Sequence, residues 1–157
     1  ARRPFDPAAH GGKRTEYRAI RDFIIARNLE YRPKRILFDP WDATKISGEL
    51  LEAKVPVVEF PQTMKGYAPA SKELVEVLLP GGHLAHGGHP VLRWNARNLV
   101  FYTDNLGNRK PVKALSKGKI DGIQTVIMNI AQSMSTKDVV PAKTPSRYAR
   151  GEGIRGA

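Results

Sequence analysis

The strongest constraint on the fold lies in residues 15–60, where two helical periods alternate with two short apolar runs. From Thr15 to Asn28 the apolar residues Tyr17, Ile20, Phe23 and Ile24 recur at helical spacing while Arg18, Arg21 and Arg27 take other positions, which predicts an amphipathic helix with a basic outer side. Pro33 follows its end as a stop signal. Arg35 to Trp41 (RILFDPW) reads as a buried strand that closes on an acid and a proline. Asp42 is placed to cap a helix from Ala43 to Ala53 with Ile46, Leu50 and Leu51 on its apolar side, and Val55 to Phe60 reads as a second strand. That order is the α/β alternation that builds a sheet covered by helices.

Past Phe60 the punctuation changes. Gln62 to Pro69 reads as a Gly/Pro-rich loop, after which Ser71 opens a helix carrying Leu74, Val75, Leu78 and Leu79 and ended by Pro80-Gly81-Gly82. Val91 to Trp94 and Leu99 to Thr103 are strand-like, and the turn composition Asp104 to Asn108 predicts a hairpin after the second of these. Lys117 to Met134 is the clearest helix, because Ile120, Ile123, Ile127, Ile130 and Met134 form one continuous apolar stripe. Residues 1–14 read as an irregular lead-in, 15–135 as the folded domain and 136–157 as a basic flexible tail.

Composition narrows the chemistry. With no cysteine among 157 residues there is no disulfide framework and no thiolate zinc site, so any metal must be held by Asp, Glu, His or backbone oxygen. No apolar run approaches the roughly 20 residues of a membrane span, so a soluble protein with no membrane partner is expected. The 26 Lys and Arg against 15 acids give a net charge of +11, which points to a polyanionic partner, nucleic acid first. The excess sits at the two ends, with +6 in residues 1–35 and +3 in 136–157. In the nearly balanced middle, Arg109, Lys110, Lys113, Lys117 and Lys119 run without an acid until Asp121.

Several catalytic classes are unsupported. Gly12-Lys13 lacks the earlier glycine and the following Ser or Thr of a phosphate loop, and no G-x-S-x-G marks a serine nucleophile. What remains is metal-assisted chemistry, in which carboxylates hold divalent ions that activate water and neutralise charge on a phosphate. Asp39 ends a strand, where open α/β sheets collect ligands, although a strand-end acid can equally cap the next helix. Asp121 lies in the first turn of the long helix, whose dipole favours the ionised form, as it does for any acid so placed. Asp104 is explained by its turn, yet stands beside the basic strip and is a further metal candidate. His83, His86 and His89, spaced by three in a Gly-rich turn, would bind a transition metal if they converged.

Four ordered segments, ILFDPWDA from Ile36, HGGHPVLRW from His86, GNRKP from Gly107 with Lys113, and KIDGI from Lys119, resemble the nuclease domain of tailed-bacteriophage terminase large subunits. The likeness spans about residues 15–135. It implies a ribonuclease-H-like sheet flanked by helices, with an added hairpin before the last helix, and a metal-dependent DNA endonuclease that cuts concatemeric viral DNA during genome packaging. It also implies Mg²⁺ or Mn²⁺ as cofactor and double-stranded DNA as substrate. In the full-length protein the portal and small terminase subunit are the implied partners, in the bacterial host cytoplasm. Two of the family's three carboxylates map onto Asp39 and Asp121; beside them the charge-derived strip Arg109, Lys110, Lys113, Lys117 and Lys119 is expected to engage the flanking DNA backbone. The third belongs to a first strand with no counterpart here, since Asp6 lies in an irregular segment, so the expectation is an N-terminally incomplete domain whose isolated activity is impaired. His89 stands where the family often has Asn. The competing expectation is a non-catalytic basic module of the same fold that docks DNA or a packaging partner.

Overall fold

The computed structural model describes residues 16–41 and 43–135. The lead-in, Asp6, Thr15, the capping residue Asp42 and the tail 136–157 lie outside the described residues. The chain falls into two compact units, divided between Pro61 and Gln62.

The first unit runs α1 (Tyr17–Tyr31), β1 (Ile36–Phe38), α2 (Thr44–Glu52) and β2 (Val57–Glu59). The two strands pair in parallel, Ile36 opposite Val57 and Phe38 opposite Glu59, and α2 is the crossover that parallel pairing needs. The expected alternation is therefore present, with shorter strands. β1 stops before Asp39 because Pro40 has no N–H to give a ladder, and it is half-buried where a buried strand was expected. Within α1, Ile20, Phe23 and Ile24 are half-buried but Tyr17 is exposed. Arg21, expected on the outer side, instead reaches Glu49 of α2 at 3.0 Å. Leu50 and Val55 are buried, while Leu51, placed by its spacing on the apolar side of α2, is exposed.

The second unit contains α3 (Met64–Glu73), α4 (Pro90–Asn98), β3 (Phe101–Thr103), β4 (Arg109–Pro111) and α5 (Asp121–Ser135). Two expectations fail here. The segment read as a loop is the start of α3, because the Thr63 hydroxyl accepts from the Gly66 N–H and caps a helix that begins at Met64, seven residues before Ser71. Pro69 is carried inside the helix, where burial of Tyr67, Ala70, Ser71 and Leu74 outweighs its missing N–H. The helix then widens into a π turn over Leu74–Leu78, in which the Leu79 N–H bonds the Leu74 carbonyl. The second failure is Val91 to Trp94, which lies in α4 and not in a strand, since Pro90 is a preorganised first helical residue.

The hairpin is as expected: β3 and β4 are antiparallel, with Phe101 opposite Pro111 and Thr103 opposite Arg109. α5 begins at Asp121 and packs against α3 and α4. Of its stripe, Ile120, Ile123 and Ile127 are buried, joined by Met128, but Ile130 is half-buried and Met134 is 47% exposed. Beneath them, Gln124 donates to Gln62 and to the buried Tyr67 hydroxyl, which itself donates to Gln62. Among the described residues no helix is long and apolar enough to cross a membrane.

Candidate metal and nucleic-acid site

Each candidate residue owes its position to an element end. Asp39 directly follows β1 and is exposed, and its Oδ1 accepts the Trp41 N–H at 3.0 Å. The carboxylate thereby shapes the turn at Pro40, and the Trp41 side chain is left 88% exposed beside it. Asp121 is the first residue of α5. Its Oδ1 lies 2.5 Å from the Lys113 ammonium, on the 3₁₀ turn that leads out of β4. The Lys113 hydrogen bond first, opposed by partial desolvation, and then the Lys113 charge, its own backbone N–H and the Lys119 charge hold this carboxyl below the usual range. Asp121 is thus an ionised, solvent-facing carboxylate on which a cation already rests.

An open cleft of about 350 Å³ adjoins it, lined by Trp94, Lys113, Ser116, Lys117, Lys119 and Asp121. The basic strip divides at this point. Lys113, Lys117 and Lys119 line the cleft, whereas Arg109 and Lys110 belong to β4, and the Arg109 guanidinium lies 3.8 Å from Glu76 of the π turn. Three lysines, an indole and a helix N-terminus make a surface suited to a phosphodiester strand.

Asp104 organises the hairpin turn. Its Oδ1 accepts the N–H groups of Leu106 and Asn108, each at 2.9 Å, and its Oδ2 accepts the Asn108 amide at 3.0 Å. The Asn108 side-chain bond is the main cause of its lowered pKa. Gly107 completes this turn at φ +81°, a conformation that only glycine adopts readily. The three histidines do not come together, as no group of three metal-ligating side chains converges among the described residues. His86 instead accepts the Gly88 N–H, and the His89 carbonyl accepts from Arg93 in the first turn of α4.

One contributor escaped the sequence. Asn95 of α4 is 3% exposed and its Oδ1 accepts the Gly122 N–H at 2.6 Å, bonding the backbone next to Asp121. Reading Val91 to Trp94 as a strand hid it. The available signal was Pro90 at a helix start followed by Leu92, Asn95 and Asn98 at intervals of three.

The family described as "Terminase large subunit, endonuclease domain" matches over residues 6–136. The chain belongs to this family. Among relatives, the terminase large subunit of Enterobacteria phage HK97 is 38% identical over 95 residues, 59% of this chain and 19% of that protein. Protein YmfN of Escherichia coli K12 is 30% identical over 125 residues, 78% of this chain and 27% of its own length. The crystal structure of the HK97 bacteriophage large terminase superposes with a TM-score of 0.67 at 31% identity, covering 75% of this chain and 25% of that one. The α/β architecture of this terminase nuclease-family chain is therefore shared with a solved terminase, while the chain spans only about a fifth to a quarter of its relatives' length.

Proposed function

We propose that this chain is the ribonuclease-H-like nuclease domain of a phage or prophage terminase large subunit, a metal-dependent endonuclease that cuts concatemeric double-stranded DNA during genome packaging. The carrying observation is the family match over residues 6–136 together with an ionised Asp121 at the rim of a lysine-lined cleft. Asp39 and Asp121 are the proposed catalytic carboxylates. In the whole protein the proposed partners are the portal and the small terminase subunit, and the setting is the bacterial host cytoplasm.

The donor chemistry of Asp121 fits a hard divalent cation, Mg²⁺ or Mn²⁺: an ionised carboxylate that already attracts an ammonium group, with no soft ligand nearby. Such an ion supplies activation of water and neutralisation of charge on the phosphate. The chain's own residues do the rest. Asp39 and Asp121 each present a carboxylate, and Lys113, Lys117 and Lys119 attract the DNA backbone without reading its sequence. Were Asp121 to hold a divalent ion, the Lys113 ammonium would be left to pair with a phosphate. Arg109 and Lys110 on β4 extend the basic surface, and Asp104 is a lesser metal candidate whose oxygens serve the turn.

The test is cleavage of supercoiled plasmid by this chain in the presence of Mn²⁺. Asp39→Asn and Asp121→Asn are expected to lower cleavage by about a hundredfold or more while DNA binding stays within a few-fold. Full cleavage by either variant overturns its role. The second reading is a basic DNA-docking module, in keeping with the finding that no group of three metal-ligating side chains is gathered among the described residues. Duplex binding without cleavage would select it.

A further inference from the structure

The residue before helix α5 is Ile120, which carries no capping side chain. The Ile120 carbonyl accepts the first helical bond, from the Gln124 N–H, but the Ile120 side chain has no acceptor for the free N–H groups of the first turn. The acceptor comes from α4, where Asn95 Oδ1 takes the Gly122 N–H at 2.6 Å from a position 3% exposed. Three residues along the same helix, Asn98 donates to the Lys119 carbonyl at 3.3 Å. Two glycines make the close approach possible. A Cβ on Gly122 would stand 2.9 Å from Asn95 Oδ1, and one on Gly118 would stand 2.6 Å from the Asn98 amide nitrogen.

The backbone is therefore held to α4 on both sides of Asp121. The carboxylate itself is 60% exposed, and its contacts are a surface ion pair with Lys113 and a bond from its own backbone N–H, which tie it to the first turn of α5 but do not fix where that turn stands. We infer that Asn95 is a positioning residue for Asp121: by capping α5 from a neighbouring helix it sets where the carboxylate stands at the cleft. The inference rests on the reading above that Asp121 ligates the metal. Partners that orient a metal ligand typically change affinity or activity about 10–100-fold when removed, and a buried hydrogen bond to the adjacent backbone is such a partner.

The experiment compares Asn95→Leu, which keeps the branched side-chain skeleton but removes the acceptor, with Asn95→Asp, which keeps the acceptor oxygen. Readouts are amide exchange at Gly122, Mn²⁺-induced broadening of Asp121 resonances, and the Mn²⁺ concentration for half-maximal plasmid cleavage. Asn95→Leu is expected to lose Gly122 protection and to need about tenfold more Mn²⁺, with Ile127 amide protection retained. Asn95→Asp is expected to keep Gly122 protection and stay within about threefold of wild type. A folded Asn95→Leu with wild-type Mn²⁺ response overturns the inference. So does an Asn95→Asp protein that keeps the Gly122 bond yet weakens Mn²⁺ binding as a leucine does, an outcome still readable if the leucine variant fails to fold. Asp121→Asn separates the two claims, because wild-type Mn²⁺ binding and cleavage by that variant remove the metal role of Asp121 whatever Asn95 does.

Discussion

At the scale of single residues, Asp104 and Asp121 are both held below the ordinary carboxylate range, for different reasons. Asp104 is stabilised as an acceptor by Asn108 and Leu106, Asp121 by Lys113 and Lys119. A carboxyl whose folded pKa is depressed adds stability above its unfolded pKa of about 3.9 and loses it as pH falls through the folded value. Both therefore contribute to an acid-side loss of stability that begins near pH 4 and continues below it. Replacing Lys113 by Met should move the Asp121 carboxyl back up toward the ordinary range, followed by ¹³C NMR titration. An unchanged midpoint would mean that the ion pair does not form in solution. Asp104→Asn should leave Asp121 untouched and flatten the acid limb of the melting curve, since one bonded oxygen is replaced and the charge is gone.

At the scale of elements, packing decided what propensity could not. α5 was legible because its apolar period is long, and the hairpin because Asp104 to Asn108 carries turn chemistry. α3 was not, because Gly66 and Pro69 interrupt its first turns, which are held in place by Thr63 and by Tyr67 buried against α5. α4 was misread because four residues, Val91 to Trp94, are too few for periodicity to tell helix from strand. Of the site, Asp39 and Asp121 could be selected as element-end acids, but Asn95 could not, since its partner is a backbone N–H 27 residues away. The stripe of α5 separates into a buried and an exposed half, which sets a contrast. Ile127→Ala, at a fully buried position, is expected to cost about 2–5 kcal/mol, and Met134→Ala within about 0.5 kcal/mol, in urea denaturation. Equal costs would place α5 differently. Ser71 is fully buried within α3 and its hydroxyl has no hydrogen-bond partner among the described residues, so Ser71→Ala should be neutral or stabilising by up to about 1 kcal/mol.

At the scale of the whole molecule, the charge of +11 indicated a polyanion but could not say where it would lie. The cleft beside Asp121 supplies one location, because it gathers Lys113, Lys117 and Lys119 from a segment of seven residues next to a carboxylate that favours cations. Arg109, by contrast, is engaged with Glu76, so its contribution to DNA should be smaller than its formal charge suggests. The two classes are separable by salt. Each lysine that neutralises a phosphate releases condensed counterions, so its loss should reduce the slope of log affinity against log salt by about 0.9 on duplex DNA. Lys117→Ala with Lys119→Ala is therefore expected to flatten that slope by nearly 2, measured by fluorescence anisotropy across a NaCl series, whereas Arg109→Ala should change it by less than one contact. Trp94 lines the same cleft and provides an independent report. With Trp41→Phe as background, its emission should change on duplex addition, and the change should disappear at high salt together with binding. A slope unaltered by the lysine pair, with Trp94 emission still responding, would move the phosphate contacts off this strip while leaving DNA at the cleft. Loss of both signals from the wild-type response would place the polyanion elsewhere on the basic surface.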